Sequence, residues 1–442
     1  MTARQIALAL FVVSMPITQG LFIPALKDEV ILVSDVPLFA LFLLSLNRFG
    51  KRFPKNPVMP FVILTLVWAL VNYTVAARKL YYYQELIWLF RAFLIFLVIS
   101  RSIVKREDVI IVATALMGGM VFQSLLAIWQ WKFGPLGLWF LGERSFGWRT
   151  SGTFVHPNVL AMFLMMVLPL LYRTFMFIAK KYRYLYMAGF LLGALALFTT
   201  LSRGCWIGFV SGMLVAFGYD FLRGHITSKR AIGPLMLLGI GLLAFLIKYA
   251  PVLEARFSDA NESLMANRKS SRIGLAKDAI RIIKAHPTMG VGLNNYRFFA
   301  DPLTPGLKIV HNIYLLVAAE RGIPGLIIFL GFLGSGMMLA YKLSKARDPY
   351  IRHTAIGLET SLIAFAVASL VSPDYRLTYI RSHVWLLMGL AVALNNVHWT
   401  EQRRAAILRM RKLRAQMQQR SSNPVPGPRP DFSPGLAGSE PP

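Results

Sequence analysis

Apolar residues run through this chain in blocks of about 17 to 23, divided by short polar connections. Each block is long enough to cross a hydrocarbon core of about 30 Å at about 1.5 Å per helical residue. The pattern predicts twelve spans, near residues 5–25, 30–46, 58–77, 85–100, 109–131, 157–179, 185–201, 205–222, 233–250, 312–341, 355–372 and 383–397. The tenth is too long for one straight crossing. Gly322, Pro324 and Gly325 are expected to break it, leaving His311 to Arg321 as a short segment dipping into the outer leaflet. The expected class is an all-α polytopic membrane protein. The first block follows Arg4 and shows no small-residue cleavage site before the next, so it reads as a helix rather than a signal peptide.

One long polar interruption, Pro251 to Gly325, stands out from this pattern. Within it Ile273, Ala276, Ala279, Ile280 and Ile283 recur at helical spacing. Ser270 or Ser271 is placed to cap the helix and Pro287 follows its end, which predicts an amphipathic helix lying over one face of the membrane. Arg268 and Arg272 fall at its N-terminal end, where free N–H groups and the helix dipole favour an anion.

Composition adds the class and charge adds the orientation. At 56% hydrophobic and 15% charged, with mean hydropathy +0.55, the chain is no ordinary soluble protein. A net charge of +28 would suggest nucleic acid in a soluble chain, but here it is distributed as membrane topology requires, so no nucleic-acid partner is expected. With the N-terminus inside, the five inner loops carry 17 basic residues and the five short outer loops 9. Both termini are then cytoplasmic. The 251–312 loop is then expected outside the cytoplasm together with Arg144, Arg149, His156, Arg203, Arg376 and Arg381. Arginines on that side run against the insertion bias and want a reason. The domain reading is a membrane domain over 1–400 with the 251–312 loop inserted, a basic cytoplasmic helix over 401–420 on the anionic inner leaflet, and a disordered Pro-rich tail over 421–442. Cys205 is alone, which excludes an internal disulfide.

Several positions are chemical candidates, each with a plainer alternative. His311 and Asn312 stand at a loop-to-helix boundary, where a neutral imidazole takes a proton from a sugar hydroxyl or merely caps a helix. Glu320, nine residues on, falls on roughly the opposite face of a continuing helix. Arg203 lies in the tight Ser202-Arg203-Gly204 connection, where its planar fork suits phosphate oxygens or snorkels to headgroups. In Gly152 to Asn158, Thr153 or Asn158 could orient a substrate oxygen, or the stretch is a helix start with Pro157 in its first turn. Arg144 and Arg149 flank Phe146 and Trp148, a sugar-stacking pair or part of the interfacial belt. Arg91 and Glu359 are ionisable groups inside apolar spans, functional candidates unless an ion pair neutralises them. The sequence offers no metal-ligand cluster and no Walker-type loop, so no metal and no cofactor are expected, and the energy must come from an activated substrate.

Ser-Gly-Thr-Phe-Val-His-Pro-Asn (151–158), Leu-Ser-Arg-Gly (201–204), Ser-Arg-Ile-Gly-Leu-Ala (271–276), His-Pro-Thr-Met-Gly-Val-Gly (286–292) and His-Asn-Ile-Tyr-Leu (311–315), followed by Glu320, Gly322 and Gly325, resemble the O-antigen ligase and polymerase superfamily in order and spacing over about residues 150–340. The resemblance implies a metal-independent, inverting glycosyltransferase of the bacterial inner membrane. It would move a glycan from undecaprenyl diphosphate to a hydroxyl at the periplasmic face. Carried over by position, His311 is the general base and Arg203 and Arg272 hold the diphosphate, with Arg149 and Arg144 as secondary contacts. His156, Asn158, Asn312 and Ser202 are the substrate-orienting candidates. The donor is an undecaprenyl-diphosphate glycan, the acceptor lipid A core or a growing polysaccharide, and membrane lipid is the third partner. The rival reading is a multi-pass anion or polysaccharide transporter, which needs ionisable groups along a path through the bilayer.

Overall fold

In a computed structural model, residues 1–22, 30–50, 54–137, 147, 149–222, 272–300 and 309–422 are described, together with 239, 240, 247, 248, 250, 251 and 254. They divide into two compact units, Met1–Val397 and His398–Pro442.

Among the described residues, the first unit is helical apart from one short strand pair. Its helices are α1 (Ala3–Ser14), α2 (Asp35–Phe49), α3 (Val58–Asn72), α4 (Lys79–Ser102), α5 (Arg106–Phe133), α6 (Pro157–Phe177), α7 (Lys180–Thr199), α8 (Arg203–Leu222), α9 (Arg272–Ala285), α10 (Tyr296–Ala300), α11 (Ile313–Ser344) and α12 (Pro349–Ala368). The last helix, α13 (Thr378–Ser422), begins in this unit and runs on into the second, where Arg403 lies over the Trp399 ring. Seven described stretches are long and apolar enough to cross a membrane: Val58–Val75, α4, α5, α6, α7, α8 and α11.

The N-terminal pattern resolves differently from expectation. Instead of a 21-residue span there is the 12-residue α1, closed at its start by a capping box between Thr2 and Gln5 and ending just before Pro16. Then β1 (Gly20–Phe22) pairs antiparallel with β2 (Val30–Leu32), and only afterwards does α2 begin. Three of the four residues in Val30-Ile31-Leu32-Val33 are β-branched, and a short apolar run of that kind does not by itself separate strand from helix. Most of the expected ninth span, 233–250, lies outside the described residues, as do the 423–442 tail and the Ser270 and Ser271 caps.

Helix α6 is the centre of the bundle. Nearly every one of its side chains is buried, and α5, α7, α8 and α12 pack around it. Helix α8 reaches α12 through Gly208 and Gly212, with Gly204 against Val371 just past the end of α12, one face of small residues that lets two backbones approach. A Cβ at Gly208 would lie 2.6 Å from the Ala364 carbonyl oxygen, and one at Gly212 2.7 Å from that of Thr360. This seam fixes the rotation of α8 and hence where Arg203, its first residue, points.

The expected break in the tenth span falls at Gly322, where φ is +70°. The segment after α9 plugs the break. Val291 N donates to Ala319 O at 3.0 Å, Gly292 N to Glu320 O at 2.9 Å, and Ile323 N to Pro287 O at 2.8 Å. A side chain at Gly290 (φ +66°) would stand 2.5 Å from the Glu320 backbone, so only glycine admits this close pairing. From the other side Trp68 Nε1 donates to Arg321 O at 2.8 Å. The kink is thus braced, not loose. Helix α9 packs on α11, but through Leu275, Ala279 and Ile282; Ile273 and Ile280, expected on the apolar face, are exposed. The buried stripe faces both α11 and α10, where Tyr296 Oη donates to Leu275 O at 3.1 Å.

Candidate active site

At one end of the bundle, the connections before α6, between α7 and α8, and around α11 and α12 come together. The 149–153 segment is held first by α5, whose two glutamines stand seven residues apart on one face. Gln130 Oε1 accepts from Ser151 N at 3.2 Å and Gly152 N at 2.9 Å, and Gln123 Oε1 accepts from Thr153 N at 3.0 Å. Gln123 Nε2 donates to Thr153 Oγ1 at 2.7 Å, so Thr153 is a buried structural contact, not a substrate-facing hydroxyl. Two glutamines in an otherwise apolar helix were a signal that sequence reading passed over.

This scaffold delivers Arg149. Its Nε donates to Thr200 O at 2.9 Å and its Nη2 to Asn158 Oδ1 at 2.6 Å. Asn158 is oriented in turn by the start of α6, where His156 Nδ1 accepts from Asn158 N at 3.1 Å. His156 therefore acts as a helix cap and positions its neighbour. The α7–α8 turn is tight: Leu201 takes φ +51°, costly for a branched side chain, and Ser202 N donates to Thr200 Oγ1 at 3.3 Å. The strain sets Arg203 at the first position of α8.

Arg149, Asn158, Ser202, Arg203, Arg272 and Ser372 line one cavity. Three guanidinium groups from three separate parts of the sequence share it, and among the described residues no carboxylate lines it. Nearby, Ser372 Oγ donates to Asp374 Oδ2 at 2.6 Å. Burial pushes the Asp374 carboxyl up, opposed by Ser372 and by the charges of Arg376 and Arg149.

His311 is half-buried, one residue before the α11 cap. Asn312 Oδ1 accepts from Leu315 N at 3.0 Å and its Nδ2 donates to Leu370 O at 3.0 Å, while Ile313 N donates to Ser369 O at 3.0 Å. Asn312 is thus committed to capping α11 and tying it to the end of α12, which fixes His311. Burial first, then the charges of Arg272 and Arg376, hold the His311 pKa below its usual 6.5. The imidazole is neutral at neutral pH. Arg272 belongs to both places, lining the cavity and acting on His311.

The remaining candidates separate cleanly. Arg144 and Arg268 lie outside the described residues. Arg91 donates to Asp35 (2.6 Å), Ser382 (2.6 Å) and Ser34 (2.9 Å), and Glu359 accepts from Tyr219 Oη at 2.7 Å. These mid-span charges are tied into helix packing, not strung along a path. Arg381 pairs with Glu85 and is buried.

None of the curated proteins compared matches the chain. Residues 187–330, the stretch holding Arg203, Arg272 and His311, match the family model described as O-antigen ligase.

Proposed function

We propose that the protein is a membrane glycosyltransferase that moves a glycan from a lipid diphosphate, undecaprenyl diphosphate in bacteria, to a sugar hydroxyl at the extracytoplasmic face. The observation that carries the reading is the convergence of Arg149, Arg203 and Arg272 on one cavity that shares Arg272 with a neutral, half-buried His311. A glycosyl diphosphate is already activated, so the protein's task is to hold the leaving group and to make the acceptor nucleophilic.

His311 takes the proton of the acceptor hydroxyl. As the new bond forms between that oxygen and the anomeric carbon, the bond from that carbon to the diphosphate oxygen breaks, and its electron pair leaves with the phosphate. Attack opposite the leaving group inverts the anomeric centre. Charge develops on the departing diphosphate, where planar guanidinium forks in a partly desolvated site stabilise it more than they stabilise the ground state. Positioning of the two substrates accounts for much of the remaining acceleration. Ser202 and Asn158, on the same cavity, are suited to bind phosphate or sugar oxygens beside the arginines. The excess of basic residues in the opposite loops supports a site facing away from the cytoplasm.

The test is transfer by the purified full chain in lipid nanodiscs, supplied with an undecaprenyl-diphosphate oligosaccharide and, in separate arms, lipid A core or a second lipid-linked repeat unit. Product in the first arm identifies ligation and in the second polymerisation. A His311→Ala variant that folds and transfers at the wild-type rate would remove the proposed mechanism.

A further inference from the structure

The proposed transfer needs a place for the acceptor, and a second cavity supplies one. It is lined by Glu85 of α4, Asn294 and Arg297 at the start of α10, Glu320 of α11 and Arg376 of the turn before α13. Arg376 connects it to the base: its charge acts on His311 on one side and on Glu85 and Glu320 on the other. Ile309, two residues before His311, also lines this cavity, and Arg272 of the first cavity and Arg376 of the second both act on the imidazole.

The two cavities differ in charge, and the difference assigns their ligands. Three converging guanidinium groups suit a diphosphate. Two acidic side chains set against two guanidinium groups make a less cationic pocket, and they offer acceptors and donors side by side, which is what sugar hydroxyls need. The site is also built in advance. The Glu320 carboxylate accepts from the backbone N–H groups of Asn294 and Tyr296, and Asn294 is held at φ +56°, a conformation that costs energy outside glycine. Arg297 donates to Asn294 Oδ1 through Nη2, while its buried Nε has no hydrogen-bond partner. A cavity of about 50 Å³ has several times the room one water needs, enough for the edge of a sugar ring.

We propose that the cavity of Glu85, Arg297, Glu320 and Arg376 is the acceptor subsite, taking the hydroxyl-bearing edge of a neutral sugar so that an adjacent hydroxyl meets His311. Glu320 and Arg376 are then specificity-determining residues that touch the acceptor and leave the donor alone. Glu85 also carries the buried Arg381, so its replacement would mix binding with folding.

The test uses Glu320→Gln and Arg376→Lys in the full chain in nanodiscs, with transfer measured against acceptor concentration and donor binding measured separately with the undecaprenyl-diphosphate oligosaccharide. Each variant should raise the acceptor KM about tenfold or more, the loss of one hydrogen bond to a charged group, and leave donor affinity within about twofold. Arg203→Lys should do the reverse. A second measurement needs no variant: carbodiimide labelling of Glu320 in the wild-type protein should fall when acceptor is added and not with donor alone. An unchanged acceptor KM in a folded variant, an equal loss of donor affinity, or Glu320 labelling insensitive to acceptor overturns the subsite while leaving the donor cradle in place. Absence of transfer by the wild-type protein in both acceptor arms rejects the proposed reaction itself, and the subsite with it.

Discussion

Helices α6 and α8 lie against each other and carry arginine at both ends of their contact, yet the two ends treat the charge in opposite ways. At the far end Arg173 of α6 is wholly buried and meets Asp220 of α8, Nη1 lying 2.9 Å from Oδ1 and 3.1 Å from Oδ2. That charge is cancelled where it sits. At the near end Arg149 is held by a carbonyl and by the Asn158 amide, both neutral, and it shares a cavity with Arg203 and Arg272. Charges packed for stability are neutralised by a carboxylate. At the near end three guanidinium groups converge on one cavity, where an anion can be gripped. The same residue type thus has two meanings within one helix pair, and the partner decides which.

The sharpest way to break this contrast is to remove the base that the near end serves. His311→Ala should lower glycan transfer about 10² to 10⁴-fold, the usual weight of a general base, with thermal stability unchanged. Turnover and melting are measured on the same preparation. A loss of folding in proportion to activity would reduce His311 to a helix-end contact.

The far end gives the converse. Asp220→Asn leaves Arg173 buried without its counter-charge and should cost about 3 to 5 kcal/mol of stability. Replacing both residues by apolar ones of similar size should recover most of it, because the pair itself is close to neutral in net worth. Thermal unfolding in detergent checks both. Whatever fraction stays folded should bind donor normally; weakened donor binding per folded molecule would mean that the two ends are one coupled network. Arg203→Lys is the matched change at the near end. It keeps the charge, loses the planar fork, and should cost about 10²-fold in transfer, the order found for one lost oxyanion contact, with no change in melting.

How far these two ends could be read from sequence depends on how local their causes are. His311, Arg203 and Arg272 stand out in sequence because each sits in a short motif that resembles the superfamily pattern, and Arg203 and Arg272 do share a cavity. The Gly322 break was legible for the same reason. The pairing of Arg149 with Asn158 was not, since it depends on two α5 glutamines that hold a distant loop in register. The second cavity was less legible still: Glu85, Arg297, Glu320 and Arg376 come from four separate elements. Glu320 was discounted because it faces away from His311 along α11, and that geometry is what directs it into the neighbouring pocket. The N-terminal error has another origin. Hydropathy reports how apolar a segment is, and β1, β2 and the short α1 are apolar without being spanning helices.

The smallest effect tests whether the arginines act on the base as well as on the donor. A His311 pKa held below 6.5 keeps the imidazole unprotonated through neutral pH, so kcat/KM should stay flat there and fall only as the pH drops through that lowered value. Burial is the largest cause and the Arg272 charge the next. Arg272→Gln removes a nearby cation, which makes protonation of His311 easier and moves the acid limb upward. The limb should remain below 6.5, because the burial is untouched. The profile is measured at saturating donor, so that weaker donor binding in the variant does not enter. An acid limb that does not move would confine Arg272 to the diphosphate; a limb at or above 6.5 would make charge, not burial, the main reason that His311 is a base.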